Sequence, residues 1–412
     1  MSGVPVELLD LLARWIHLIA GIMWIGNSLL FNWLDRELRP AQGMARTAEP
    51  IGTTWLLHSG GFYYVEKTLL AGAPLPRPLH WFKWQAYTTW WSGAALLVVV
   101  YYAGGRALLE DAGVARLSHA QAVALGAGAI VGGLLLYEAV QRLVAQRAPR
   151  LAAVLWITGL AAIAVGLTRL LSGRAAFLHV GAMLGTIMAA NVVFTIVPSQ
   201  RALVASVAEG RGGDPRVSAR AKRVSIHNNY FTFPVLALMV SGHFPALYSH
   251  PQSWLLVFAL TGSGVAVRHL LNLRFTYPFW RPALAGTLAG SVLLLFALLR
   301  LGAAPPGGAA TAGSAGPVSF QEVRHVIDRR CGACHSARQA DPSFGPAPGG
   351  VLYDTPEQIV SLAARIRERA FVTRTMPPGN RTRITDEERA LLGRWVEQGA
   401  QRGEPERRQP PR

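Results

Sequence analysis

Two cysteines and a histidine in Cys331-Gly332-Ala333-Cys334-His335 carry all the thiol chemistry of this 412-residue chain. Thiols two residues apart can each add to one vinyl group of a single porphyrin, and the adjoining imidazole then falls on the iron, so the spacing reads as the attachment signature of a c-type haem. A redox dithiol has no use for the trailing His, and a tetrahedral zinc site needs further Cys or His from a second cluster. The sixth iron ligand follows by elimination. From residue 301 onward the only methionine is Met376, in Arg374-Thr375-Met376-Pro377-Pro378-Gly379-Asn380, where prolines stiffen a loop able to hold a thioether. The rival, His325, stands just upstream of Cys331 on what reads as the same helix and is poorly placed for the opposite haem face. We expect one covalent haem c on Cys331 and Cys334, with His335 and Met376 as iron ligands.

Further reactive side chains lie upstream of residue 300, in two layers. His17 and His179 fall in the outer halves of apolar runs, within about one helical turn of each other in depth at ~1.5 Å per residue. A non-covalent haem b between two such imidazoles is physically reasonable, and interhelical hydrogen bonds are the plainer use for them. The inner layer is denser. His58 and Lys67 stand in His58-Ser59-Gly60-Gly61-Phe62-Tyr63-Tyr64-Val65-Glu66-Lys67, His80 and Lys83 in Leu79-His80-Trp81-Phe82-Lys83-Trp84, and His227, Asn228 and Tyr230 in Ser225-Ile226-His227-Asn228-Asn229-Tyr230-Phe231-Thr232. Such mixtures can stack on a planar ring while offering cations and imidazoles; singly, each also fits an aromatic belt with snorkelling lysines.

The elements that must carry these residues are predominantly apolar. Eight runs near residues 9–33, 85–104, 119–138, 151–171, 175–197, 229–247, 253–272 and 280–300 each approach the ~20 residues that cross a ~30 Å hydrocarbon layer. The first is expected to remain in the chain, because Glu7 and Asp10 replace a basic leader and no small-residue cleavage site follows. Basic residues crowd the odd loops, among them Arg36, Lys67, Lys83, Arg142, Arg150, Arg220, Lys222, Arg223 and Arg274, while the loop at 242–252 has none. This asymmetry places both termini outside, with the CxxCH region in the periplasm of a bacterial inner membrane. Topology and anionic lipid then account for much of the +17 net charge without a nucleic-acid partner.

The resulting fold class is all-α: an eight-helix integral membrane domain over residues 1–300 followed by a small class I cytochrome c domain over 319–402. Residues 301–318, rich in Gly, Ala and Pro, read as a flexible tether whose ends average on the order of 20–25 Å apart. Residues 403–412 read as a disordered tail. The capping box Thr385-Asp386-Glu387-Glu388 should open the last helix of the cytochrome domain.

Four stretches together carry a family resemblance. Arg14-Trp15-Ile16-His17 through Phe31-Asn32-Trp33, His58-Ser59-Gly60-Gly61-Phe62-Tyr63, Leu79 through Trp90, and His227-Asn228-Asn229-Tyr230-Phe231-Thr232, followed by the CxxCH region, resemble the membrane-bound cytochrome c urate oxidases, or urate hydroxylases. The resemblance implies oxidation of urate to 5-hydroxyisourate without peroxide, with electrons leaving through haem c to a soluble cytochrome c or a respiratory oxidase. On that reading Lys67 and Lys83 offset the urate charge, Phe62, Trp81 or Tyr230 stack on its ring, and an imidazole of His58, His80 or His227 takes the proton. Two other classes compete: a non-enzymatic electron conduit or respiratory-complex subunit with a tethered cytochrome, and a membrane haem-handling protein. The long polar-aromatic loop at 35–84 separates them, since a conduit has no need of it.

Overall fold

The apolar runs fold as helices. The computed structural model describes residues 4–38, 50–68, 70, 75, 78–103, 106–111, 113–211, 214–302, 317–338, 347 and 350–402. Helix α1 (Val4–Glu37) is followed by strands β1 (Pro50–His58) and β2 (Gly61–Thr68), then α2 (Lys83–Leu97) and the single turn α3 (Arg106–Leu109). Next come α4 (His119–Leu143), α5 (Pro149–Leu170), α6 (Gly173–Asn191), α7 (Val197–Ala208), α8 (Pro215–Val240), the short α9 (Pro245–Tyr248), α10 (Ser253–Leu273) and α11 (Trp280–Gly302). Local chemistry sets their starts. Ser118 caps α4 through a capping box with Gln121, Ser172 caps α6, Asp214 caps α8, and Pro149 and Pro215 occupy first helical positions, where a missing N–H is harmless.

Among the described residues, 6 helices are long and apolar enough to cross a membrane: Leu8–Glu37, His119–Leu143, Pro149–Leu170, Gly173–Ala208, Ser253–Leu273 and Trp280–Leu301. The other two expected spans are also helical. However, α2 is only 15 residues long before a π-helical turn at Val98–Tyr102, and the first half of α8 carries Arg216, Arg220, Lys222 and Arg223. On α11, Val292, Leu293 and Phe296 are exposed, an apolar exterior suited to lipid.

The all-α expectation needs one correction. Residues 50–68 form an antiparallel hairpin in which His58 pairs with Gly61 and Gly52 with Lys67. Ser59 and Gly60 both have positive φ, the conformation a two-residue hairpin turn demands, and β-branched and aromatic residues fill the strands. The His-Ser-Gly-Gly stretch was a turn signal as well as a cluster of polar groups.

The core of the N-terminal part centres on α6, whose Phe177, Val180, Met183 and Ile187 are buried among Leu160, Leu167, Tyr137 and Leu238. Small residues let the helices approach: a Cβ at Gly133 on α4 would lie 2.4 Å from Met183 Sδ, and one at Gly264 on α10 would lie 2.9 Å from the Pro234 nitrogen on α8.

Residues 317–402 build a separate core from α12 (Phe320–Arg330), α13 (Pro356–Ser361), α14 (Ala363–Ile366) and α15 (Asp386–Glu397). Val323, Ile327, Ile359, Leu392 and Trp395 fill it. The Thr385 capping box opens α15 where the sequence places it. The turn Pro378–Asn380 packs against α3, so the two parts of the chain touch there. Most of the expected tether, residues 303–316, and the tail, 403–412, lie outside the described residues.

Candidate functional site

In the C-terminal unit, α12 ends at Cys331, and Cys334 and His335 occupy the turn beyond it. His335 Nδ1 donates to the Val351 carbonyl at 2.9 Å, which leaves Nε2 as the acceptor, and the His335 carbonyl accepts from the Tyr353 N–H at 2.9 Å. A metal-binding imidazole is held in this way, its second nitrogen fixed by a carbonyl. Burial pushes the Cys331 thiol up to about 12, the reverse of what a thiol–disulfide exchange centre needs. Among the described residues no group of three or more His, Cys, Asp or Glu could hold a metal ion, which leaves the zinc alternative without ligands. Met376 sits in a fixed loop. Its N–H donates to Arg369 O at 3.0 Å, its carbonyl accepts from the buried Arg389 guanidinium at 2.8 Å, and Asn380 brackets the loop through both polar atoms of the Ile384 backbone. The residues present thus fit a covalent haem c: two part-buried thiols that form no disulfide, an imidazole with Nε2 open, and a thioether on a hydrogen-bonded loop.

In the N-terminal part the sequence-predicted residues separate into distinct places. His58 is exposed at the hairpin tip and Lys67 pairs with Asp35 at 2.6 Å near its base, roughly 20 Å away at ~3.3 Å per residue. His80 packs edge-on to Phe82, and Lys83 lies over both Trp81 and Trp84 at 5.5 Å. These four do not converge with one another on any single described contact.

His17 and His179 do not converge either. His17 Nδ1 donates to Thr89 O at 2.9 Å, close to Ser92 and Gly93 of α2, so its Nε2 is the acceptor. His179, fully buried, donates from Nδ1 to Ala175 O at 2.8 Å and accepts at Nε2 from the Tyr102 hydroxyl at 3.0 Å. Their partners on the α2 segment, Gly93 and Tyr102, are on the order of 15 Å apart along the axis at ~1.5 Å per residue. The two imidazoles are not brought to one iron, and both nitrogens of His179 are already engaged.

What does converge is a belt around the middle of α8. Consecutive helical residues point about 100° apart, so four in a row address most of the circumference. His227 Nδ1 is hydrogen-bonded to the Tyr137 hydroxyl of α4 at 2.7 Å, and its ring lies 5.6 Å from the Trp156 ring of α5. Asn228 Oδ1 accepts from Asn191 of α6 at 2.8 Å, while Asn228 Nδ2 donates to Met188 O at 3.0 Å. Asn229 Oδ1 accepts from both Arg268 Nε and Asn272 Nδ2 of α10, each at 2.9 Å. The Tyr230 hydroxyl meets His269 Nδ1 of α10 at 2.8 Å, with the two rings stacked at 28°.

Five members of this belt were not singled out from sequence: Tyr137, Asn191, Asn229, Arg268 and Asn272. Arg268 and Asn191 carried a legible signal, since each interrupts an otherwise apolar run, and polar groups at membrane depth are functional candidates by default. Irregular backbone adjoins these places as well. One π-helical turn carries Tyr101 and Tyr102 to His179, another follows Asn191 at Val192–Ile196, and a third, Arg367–Val372, precedes Met376.

The family model described as urate oxidase N-terminal matches residues 3–299. No curated protein and no solved structure matches the chain.

Proposed function

The chain belongs to the urate oxidase N-terminal family, and from that premise we propose that it is a membrane-bound, cytochrome-dependent urate oxidase. The reaction is urate plus water giving 5-hydroxyisourate, two protons and two electrons. The observation that carries this reading is the coincidence of the matched region with the polar belt of α8, while a haem-attachment sequence lies outside it on a separately packed unit.

The N-terminal part would cross the membrane eight times, α2 with its π-helical turn and the apolar half of α8 adding to the six longer helices. Loop charge puts residues 317–402 on the periplasmic side of a bacterial inner membrane. Cys331 and Cys334 would hold haem c covalently, with His335 Nε2 and the Met376 thioether on the iron. Bound there, the haem supplies a one-electron acceptor used twice per substrate and re-oxidised by a soluble cytochrome c or a respiratory oxidase.

The belt residues supply binding and proton handling. With the Tyr137 hydroxyl accepting from Asn191 and donating to His227 Nδ1, His227 would carry its hydrogen on Nε2 and act as a donor. On the other side of α8, Tyr230 can take a proton from substrate while passing its own to His269 Nδ1, and His269, which is exposed, can release it.

The test is urate added to washed membranes containing the chain, with the haem c absorbance followed. Reduction by urate in the wild type, and its loss in Cys334→Ser with urate consumption stopped, is the expected result. A haem that urate does not reduce, but a quinol does, would make the chain an electron conduit.

A further inference from the structure

On the side of α8 that faces α10 there is a cation with no counter-ion among the described residues. Arg268 is only 5% exposed, and its Nε donates to Asn229. Its Nη2 is buried without a partner. Asn272 stands one turn along the same face of α10 and donates to the same Asn229 oxygen, and its own Oδ1 is also buried without a partner. The two open atoms are complementary, one a donor and one an acceptor, and their shared anchor keeps them together.

The surrounding charges sharpen the point. Those acting on Arg268 are the cations Arg274 and Arg36, with the Tyr230 phenol as a favourable neighbour, and Arg36 is drawn into the cluster by its hydrogen bond to the Asn272 carbonyl at 2.8 Å. No ion pair of the described residues joins a carboxylate to Arg268. A buried guanidinium beside two further cations and no carboxylate partner is strongly unfavourable on its own, and a buried polar atom without a partner calls for a ligand. Phe233, 5.7 Å from the guanidinium carbon, and the stacked Tyr230–His269 pair provide flat neighbours.

We infer that Arg268, Asn229 and Asn272 form an anion subsite that takes the ionised edge of a planar oxopurine. Arg268 Nη2 donates to the anionic edge and Asn272 Oδ1 accepts from an adjacent ring N–H. A urate monoanion presents both groups in one plane, and a guanidinium, planar and permanently charged, suits that edge better than an ammonium. The assignment rests on the urate reading and selects the α10 side of the belt, with Tyr230 and His269, as the place where substrate lies.

The experiment is equilibrium dialysis of radiolabelled urate against the full chain in nanodiscs, with melting temperatures measured in parallel. Arg268→Gln should weaken urate binding on the order of 100-fold, as truncating one partner of a buried charged hydrogen bond does. Without urate, the same variant should melt no lower than wild type, because an unpaired buried cation has been removed. Added urate should raise the melting temperature of the wild type and not of the variant. Asn272→Ala keeps the charge and should lose roughly 10-fold in affinity, so the inference does not depend on one variant folding. Unchanged affinity in folded Arg268→Gln or Asn272→Ala overturns the subsite and leaves the urate reading intact. A wild-type chain that binds no urate overturns both.

Discussion

Tyr137 on α4 and His227 on α8 are joined by a hydrogen bond of 2.7 Å, and Asn191 of α6 donates to the same phenol oxygen at 3.2 Å. One hydroxyl therefore links three helices. The ring itself packs on Trp156 at 5.7 Å and Phe231 at 6.4 Å, so its apolar contacts and its polar contacts can be separated by substitution.

Tyr137→Phe makes that separation. The ring stays, while His227 Nδ1 and Asn191 Nδ2 lose their shared partner in a buried setting, at a cost of about 1–3 kcal/mol. The purified variant should show a lower melting temperature in detergent and an altered His227 imidazole resonance. If stability and that resonance are both unchanged, the phenol does not organise the belt.

Gly126→Ala probes the second phenol–imidazole pair. A Cβ there would fall 2.6 Å from His179 Nε2 and 3.3 Å from the Tyr102 hydroxyl, inside the hydrogen bond that joins them. Crowding should destabilise by about 1–3 kcal/mol. Gly132→Ala, on the same helix with nothing within 4 Å, should be neutral or slightly stabilising, since Ala is the better helix former. Equal melting temperatures for the two variants would show that the tight approach at Gly126 is not real.

The parts of this molecule that obey a short local rule were legible in the sequence. The capping box Thr385-Asp386-Glu387-Glu388 opens α15 where the sequence places it, and Cys331, Cys334 and His335 stand out because they are adjacent in the chain. The belt was legible only on its α8 side. His227, Asn228 and Tyr230 stood out as a polar run, but the run cannot say that its members point to different helices, so the partners Tyr137, Asn191, Arg268 and Asn272 had to come from packing. Depth counted along separate spans also failed for His17 and His179, because tilt and offset between helices do not appear in residue counts. The hairpin carrying His58 and Lys67 turns at Ser59-Gly60, both with positive φ, a local signal that its aromatic-rich flanks obscure.

Acid sensitivity should begin in the C-terminal unit. Glu388 and Arg330 form a two-pronged ion pair with contacts of 2.9–3.1 Å that ties the start of α15 to the end of α12. Burial alone would raise the Glu388 carboxyl, yet hydrogen bonds from Arg330 and Thr385 and the Arg330 charge outweigh it and hold the group below its ordinary range. A depressed carboxyl contributes stability above its unfolded value, about 4.3, and that stability is lost as pH falls through the folded value. Protection factors of the 386–397 amides, corrected for intrinsic exchange, should therefore fall below about pH 4 in wild type. Glu388→Gln should exchange faster already at neutral pH and show a flatter acid limb. An unchanged acid limb in that variant would assign the sensitivity to another group.

The contact between α3 and the turn Pro378–Asn380 makes a prediction about electron exit. That turn begins two residues after Met376, so the loop expected to carry the thioether ligand is also the part of the C-terminal unit that meets the N-terminal part. Charge favours the contact: Asp111, at the end of the α3 segment, exerts an attractive pull on Arg389, whose guanidinium holds the Met376 carbonyl. If this docked arrangement is the one in which electrons pass from the N-terminal part to haem c, its rate should depend on ionic strength, because the Asp111 carboxylate is only half-buried and charges near the surface are screened over about 8 Å at physiological salt. In stopped-flow experiments urate-driven haem reduction in wild type should slow several-fold between low and high salt, as expected for an electrostatically steered contact. Asp111→Lys should be slow already at low salt and nearly insensitive to its addition, with urate affinity and the haem spectrum unchanged. Equal rates for the two proteins at low salt would mean that the electrons leave through some other surface.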